Sequence, residues 1–269
     1  MTSRPDPEPL LAFMQEVAWA AGSLARSYRE SVDLRVTATK SSPTDVVTEA
    51  DIAVEAQIRD AVARERPEDG VVGEEGDDRS GSSGLRWVVD PIDGTVNYLY
   101  GHVRYAVSIG VEDEHGAIAA VVHAPVTGET WTALRGGGAW LNGGPVATSE
   151  CTSLANALVG TGFGYRADRR ARQAEVLAHV LPVVRDVRRA AAASLDLCDV
   201  ACGRLDGFYE QGLQPWDVAA GRLVVTEAGG LVTGLSGRPP SERFVVAAGA
   251  GLHPILTTLL TSLDADRAS

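Results

Sequence analysis

At 269 residues with 45% apolar content, the chain is long enough for one large domain or two closely joined halves, and it can build a substantial core unaided. Its 24 basic residues against 36 acidic ones leave a net charge of −12, which argues against a nucleic-acid or anionic-membrane footprint; handling an anion would require a cation as intermediary. No run approaches the roughly 18 apolar residues of a membrane span, and the opening Met1-Thr2-Ser3-Arg4-Pro5 is polar rather than a targeting segment, so a cytoplasmic protein is expected.

Residues 1–9 read as a disordered lead, after which Leu10, Met14, Val17, Ala21, Leu24 and Tyr28 recur at helical spacing and predict an amphipathic helix over 10–30. Thr39 to Asp45, containing Lys40 and Pro43, reads as a surface loop. Thr48-Glu49-Ala50-Asp51 has the form of a capping box, with Asp51 as the reciprocal cap of a helix that Val54, Ile58, Ala61 and Val62 continue to Arg66-Pro67. Val71-Val72 then delivers Glu74-Glu75 into a glycine-bounded turn, where two adjacent acids are ordinarily a solvated pair.

After a flexible connector over 77–84, Trp87-Val88-Val89 reads as the end of a buried strand, and Pro91 is expected to stop the ladder there. A loop bending at Pro91 can aim Asp90, Asp93 and the Ile92 carbonyl into one small volume, which is a hard-cation site in outline. Gly94-Thr95-Val96 adds consecutive N–H groups and a hydroxyl, suited to a phosphate if a helix begins here. A strand followed by an Asp-Gly turn accounts for the same residues.

Beyond Gly101 the runs Tyr105–Val111, Ala117–His123, Glu129–Leu134 and Ala139–Leu141, separated by glycine-rich turns, predict an antiparallel meander. A second half opens with a strand at Ala157–Gly160 and helices at Asp168–Leu181 and Ser194–Cys202. Cys151, Cys198 and Cys202 have no zinc-ligand partners, and Cys198 and Cys202, four apart in an apolar run, are expected to be structural. His179 reads as a helix-face residue and His102 as a loop residue. A short aromatic strand ends at Glu210, Pro215 opens a helix, and Asp217 falls in its first turn, where the macrodipole alone favours a carboxylate. Phe244–Ala248 and Leu252–Leu263 close the domain as strand and helix.

The set Glu74-Glu75, Asp90-Pro91-Ile92-Asp93-Gly94-Thr95 and Pro215-Trp216-Asp217-Val218-Ala219, preceded by Lys40-Ser41-Ser42-Pro43-Thr44-Asp45 and Thr48-Glu49-Ala50-Asp51, resembles the inositol monophosphatase family of magnesium-dependent, lithium-sensitive phosphatases. The resemblance implies an α+β fold, a layered αβαβα sandwich of the inositol monophosphatase and fructose-1,6-bisphosphatase type. It would form a single phosphatase domain over 10–263, with halves at 10–150 and 151–263, a tail at 264–269, and a homodimeric state.

Carried over by position, Glu74, Asp90 and the Ile92 carbonyl would hold one magnesium ion and Asp90, Asp93 and Asp217 a second, with Glu74 reaching a weaker third. Thr95, paired with Asp51, would orient the attacking water, so that Thr95, Asp51 and Glu74 form the catalytic set. Gly94 and Thr95 N–H groups would hold the phosphate, Asp93, Ala193 and Glu210 would contact the alcohol, and Lys40 would sit on a mobile loop. The implied substrate is a small phosphorylated polyol such as inositol 1-phosphate, and no nucleic-acid or membrane partner is expected. Relatives also act on histidinol phosphate, fructose 1,6-bisphosphate or nucleotide bisphosphates, and a mainly regulatory, protein- or RNA-binding member is the alternative of a different class. One departure stands out: Ala191-Ala192 occupies positions where relatives commonly carry Gly-Ser or Gly-Thr.

Overall fold

In a computed structural model of the chain, residues 7–31, 36–40 and 46–267 are described; the predicted lead up to Asp6 and the predicted loop from Ser41 to Asp45 fall outside them. Helix α1 (Pro7–Ser31) takes in the last three residues of the lead predicted as disordered over 1–9, because prolines fit a first turn whose N–H groups have no intrahelical acceptor. A ribbon of β1 (Val36–Thr39) and β2 (Val46–Thr48) leads into α2 (Glu49–Glu65). There follow β3 (Gly70–Gly73), β4 (Arg86–Asp93) and the short helix α3 (Thr95–Leu99). The predicted meander comprises β5 (Ala106–Asp113), β6 (Gly116–Ala124), β7 (Glu129–Leu134) and β8 (Gly138–Leu141), extended by β9 (Gly144–Pro145). Strands β3 to β9 form one sheet in chain order, antiparallel apart from the β3–β4 pair.

The second half runs β10 (Leu158–Thr161), α4 (Ala167–Val180), β11 (Asp186–Arg188), α5 (Ala193–Ala201), β12 (Gly207–Glu210), α6 (Pro215–Glu227), β13 (Gly230–Thr233), β14 (Val245–Gly249) and α7 (His253–Ser262). Its five strands lie in the order β11-β10-β12-β14-β13.

Side-chain alternation along the strands sets the layers. On the first sheet, Val107, Ile109, Val111 and Val121 pack with Met14, Ala21, Val54 and Ile58 of α1 and α2. The alternate residues Ala120, Val122 and Ala124 face α5 and α6, joining Leu197, Val200, Leu223 and Val224. Phe208, Val245 and Ala247 cover those helices from the second sheet, while Tyr209, Val246 and Ala248 on its other face meet Val176, Val180, Leu256 and Leu260 of α4 and α7. The result is an αβαβα sandwich, as the resemblance implies. Helix α6 lies hard against β5: a Cβ on Gly110 would stand 3.2 Å from the Ala219 methyl.

One local expectation is corrected. Pro91 does not end the strand; Asp90 pairs with Ser108 and Asp93 with Ala106, so Pro91 and Ile92 oppose the single residue Val107 in a β-bulge. A bulge absorbs the missing N–H without terminating β4. Among the described residues, Cys198 is buried and Cys151 and Cys202 are partly buried, all without a disulfide partner.

Candidate active site

The bulge brings the first two acids together. Asp90 precedes it and Asp93 follows it, and both are buried; Ile92 N donates to Asp90 Oδ1 at 3.1 Å, clamping the turn. Gly94 caps α3 with φ 93°, and a Cβ there would stand 3.1 Å from the carbonyl oxygens of Ala191 and Arg104, so glycine is required by conformation and by space. Asp217 arrives from the other half as the third residue of α6, where its carboxylate accepts from Gln214 N at 2.6 Å.

One carboxylate oxygen from each of Asp90, Asp93 and Asp217 lies within 4.8 Å of the others. Burial, then the Glu74, Asp93 and Asp217 carboxylates, push Asp90 well above the ordinary carboxylate range. Asp217 is raised in the same way by burial and by Asp93 and Glu74. Such a cluster binds protons or a cation, and its all-oxygen donors match a hard divalent ion.

Glu74 stands beside this cluster and is held at present by Lys40, whose Nζ lies 2.6 Å from Glu74 Oε1 and 2.6 Å from Glu75 Oε1. Burial works against the Lys40 ammonium, but the two carboxylates outweigh it and its pKa is raised. The turn carrying both acids is pinned from behind: Glu75 N and Gly76 N each donate to Glu55 at 2.8 Å, and a Cβ on Gly73 would meet that carboxylate at 2.6 Å.

Asp51 satisfies both of its sequence readings. Its Oδ2 accepts from Thr48 N at 2.8 Å, capping α2, while Oδ1 lies 3.2 Å from the Thr95 hydroxyl. That hydroxyl is also 3.1 Å from the Ile92 carbonyl oxygen. Burial pushes the Asp51 carboxyl up to about 6.

Asp93 has a second engagement that sequence reading missed. Its Oδ1 accepts from Ala193 N at 3.2 Å, and its Oδ2 from Ser194 N at 2.7 Å and from the Ser194 hydroxyl. It thereby caps α5 from another strand, replacing the side-chain cap that Ala192 cannot provide. Ser194, next to the predicted alcohol contact Ala193, was the available signal. Ala191 itself takes φ 65°, the left-handed conformation for which glycine is suited, which gives the departure at 191 a backbone meaning.

Lys40, Glu74, Asp90, Asp93, Thr95 and Asp217 line a cavity of about 510 Å³ that also holds Glu210, Gly162, Tyr165, Arg169 and Arg189. Glu210 lies over Gly162, where any Cβ would overlap its carboxylate, and burial raises its carboxyl well above the usual range. The structure thus brings together Lys40, Asp51, Glu74, Asp90, Ile92, Asp93, Gly94, Thr95, Ala193, Glu210 and Asp217 around one region. His102 and His179 are exposed and stand apart from it.

The layered sandwich carries a cluster of carboxylates that could hold a metal ion, and the family comparison places the chain among phosphatases. The profile described as "Inositol monophosphatase family" matches residues 6–264, and the chain belongs to that family. It is 44% identical over 270 residues to the inositol-1-monophosphatase SuhB of Mycobacterium tuberculosis, spanning 92% of each chain. It is 38% identical over 231 residues to the Nus factor SuhB of Escherichia coli, covering 85% of this chain and 86% of that one. The crystal structure of the extragenic suppressor protein suhB of Bartonella henselae superposes with a TM-score of 0.89 at 35% identity, over 94% of this chain and 98% of that one.

Proposed function

We propose that the protein hydrolyses the phosphomonoester of a small polyol, inositol 1-phosphate or a close analogue, with magnesium in the acidic cluster and water as nucleophile. The observation that carries this reading is the convergence of Asp90, Asp93 and Asp217 oxygens within 4.8 Å at a cavity that also presents Glu210. Magnesium ions held by Glu74, Asp90, Ile92 O, Asp93 and Asp217 would supply Lewis-acid activation and neutralise phosphate charge. Thr95 orients the water, with Asp51 receiving the hydrogen bond behind it. The Gly94 and Thr95 N–H groups hold the phosphate, and Lys40, paired here with Glu74 and Glu75, is the cation that metal ions at Glu74 would displace. Asp93, Ala193 and Glu210 position the alcohol.

The relative named a Nus factor keeps a regulatory role in view, but a purely regulatory descendant has no need of a complete carboxylate set. The test is phosphate release from inositol 1-phosphate, histidinol phosphate, fructose 1,6-bisphosphate and adenosine 3′,5′-bisphosphate, with magnesium and with EDTA. Magnesium-dependent release, fastest from a polyol phosphate, is expected; no release from any of the four would overturn the enzymatic reading.

A further inference from the structure

The N-cap and first turns of α4 carry four arginines, and three are engaged. Arg166 pairs with Asp168, Arg170 donates to the Tyr165 carbonyl at 2.6 Å, and Arg172 reaches Glu175 at 2.8 Å and the Leu263 carbonyl at 2.6 Å. Among the described residues, the Arg169 guanidinium makes no ion pair and no hydrogen bond, and Arg169 is the one of these, besides the paired Arg166, that lines the cavity.

Its place is built. The Arg169 stem crosses Gly164, where a Cβ would stand 2.6 Å from Cδ, and its Nη1 lies over Gly212, where a Cβ would overlap it. Both glycines are fixed: Gly164 N donates to Gln173 Oε1 at 2.9 Å and Gly212 N to the Glu242 carbonyl at 2.8 Å. Glu242 also lines the cavity, but its carboxylate forms no ion pair with Arg169 among the described residues. In a chain of net charge −12, an unpaired guanidinium laid in a two-glycine slot facing the substrate cavity is a recognition group.

We propose that Arg169 is a second anion contact, so that the preferred substrate is a polyol phosphate bearing a further anionic group, phosphate or carboxylate, remote from the ester that is cleaved. This rests on the phosphomonoesterase reading and adds the substrate class to it. A guanidinium fork matches either anion in a bidentate manner. Gly212 follows Glu210 by two residues, at most about 7 Å of chain, so the second anion belongs a few atoms beyond the hydroxyls that face Glu210. Arg189, on the same cavity, adds a second positive charge.

Two matched substrate pairs test this: fructose 1-phosphate against fructose 1,6-bisphosphate, and glucitol 6-phosphate against 6-phosphogluconate. Each is assayed for kcat/KM with the wild type, Arg169→Gln and Arg169→Lys, after circular dichroism has shown the variants to be folded. The wild type should prefer the doubly anionic member of at least one pair by about tenfold or more, the scale of a charge-assisted hydrogen bond. Which pair shows the preference tells phosphate from carboxylate. Arg169→Gln should bring the preference close to unity, and Arg169→Lys should keep part of it. No preference in either pair, or one that survives Arg169→Gln, would overturn the proposal. The same ratios are read as ligand-induced thermal shifts of the magnesium-loaded protein. Absence of turnover on these four compounds and on inositol 1-phosphate would sink the phosphatase reading alone, with Arg169 decided by the binding comparison.

Discussion

Gly162 offers a way to displace Glu210 without touching it. The backbone at 162 is outside the left-handed region, so alanine carries no conformational strain there, and the three nearest atoms its methyl would meet are Oε1, Oε2 and Cδ of Glu210. The carboxylate is the free end of a flexible side chain, so Gly162→Ala should fold and push the Glu210 head group out of its place. If that head group accepts hydrogen bonds from substrate hydroxyls, its displacement costs about 1–3 kcal/mol, or roughly 5- to 150-fold in kcat/KM. Inositol 1-phosphate should suffer this loss and glycerol 2-phosphate should lose less, because it offers fewer hydroxyls. The melting temperature should change little, since the reduced freedom of the unfolded chain offsets part of the rearrangement. The decisive assay is a double-mutant cycle with Glu210→Ala: once the carboxylate is gone, the three atoms nearest the methyl at 162 are gone with it, and the methyl should cost little further. An unchanged substrate ratio in Gly162→Ala, or costs that simply add in the double variant, would refute the placement of Glu210 in the alcohol site.

Three further outcomes are expected. Asp90→Asn should nearly abolish turnover in a phosphate-release assay without unfolding the protein, with Asp217→Asn less severe because Asp90 is the shared ligand; half-activity in either would refute the ligand assignment. In EDTA, Asp90→Asn should melt higher than the wild type, by more at pH 8 than at pH 5. The folded-state pKa of Asp90 is raised above the ordinary 3.8, so its stabilising contribution is present below that value and is lost as pH rises. An advantage that shrank with rising pH would contradict this sign. Thr95→Ala should lower kcat by about 10²-fold or more with KM little changed. Asp51→Asn should do likewise and also lower the melting temperature, because one oxygen faces Thr95 and the other caps α2; a purely thermal effect would leave Asp51 as a cap alone.

Local patterning put Glu74, Asp90 and Asp93 at the ends of short apolar runs and Asp217 in a first helical turn, but that they form one site was legible only through the family resemblance. The meander was legible for the same reason, alternation between glycine-rich turns. The layer order was not, because which alternate set of β5 faces α1 and which faces α6 depends on contacts across the chain. Pro91 misled because a bulge and a strand end look alike in sequence: both omit one N–H from the ladder. Strands β11 and β13 are three and four residues long, too short for any period to register. Arg169 drew no notice in the sequence, since an arginine among arginines carries no local sign that the other three are taken. Ala191 drew notice by comparison with relatives, but its positive φ exists only in the folded backbone.

The dual engagement of Asp93 bears on how this chain could be divided or rebuilt. Its carboxylate belongs to the strand half, yet both oxygens hold the first turn of α5 from the helical half, while Asp217 crosses in the opposite direction to complete the cluster. Fragments cut near residue 150 would each retain a sheet, but the strand half would lack Asp217 and the Glu210 wall, and the helical half would lack Glu74, Asp90 and Asp93. Their reassembly would report itself as activity, in the manner of a two-part complementation switch. By the same token, grafting the helical half of a cousin onto this strand half would exchange part of the proposed metal site together with the proposed alcohol pocket, so on that reading specificity would not be transplanted without also renegotiating the ions.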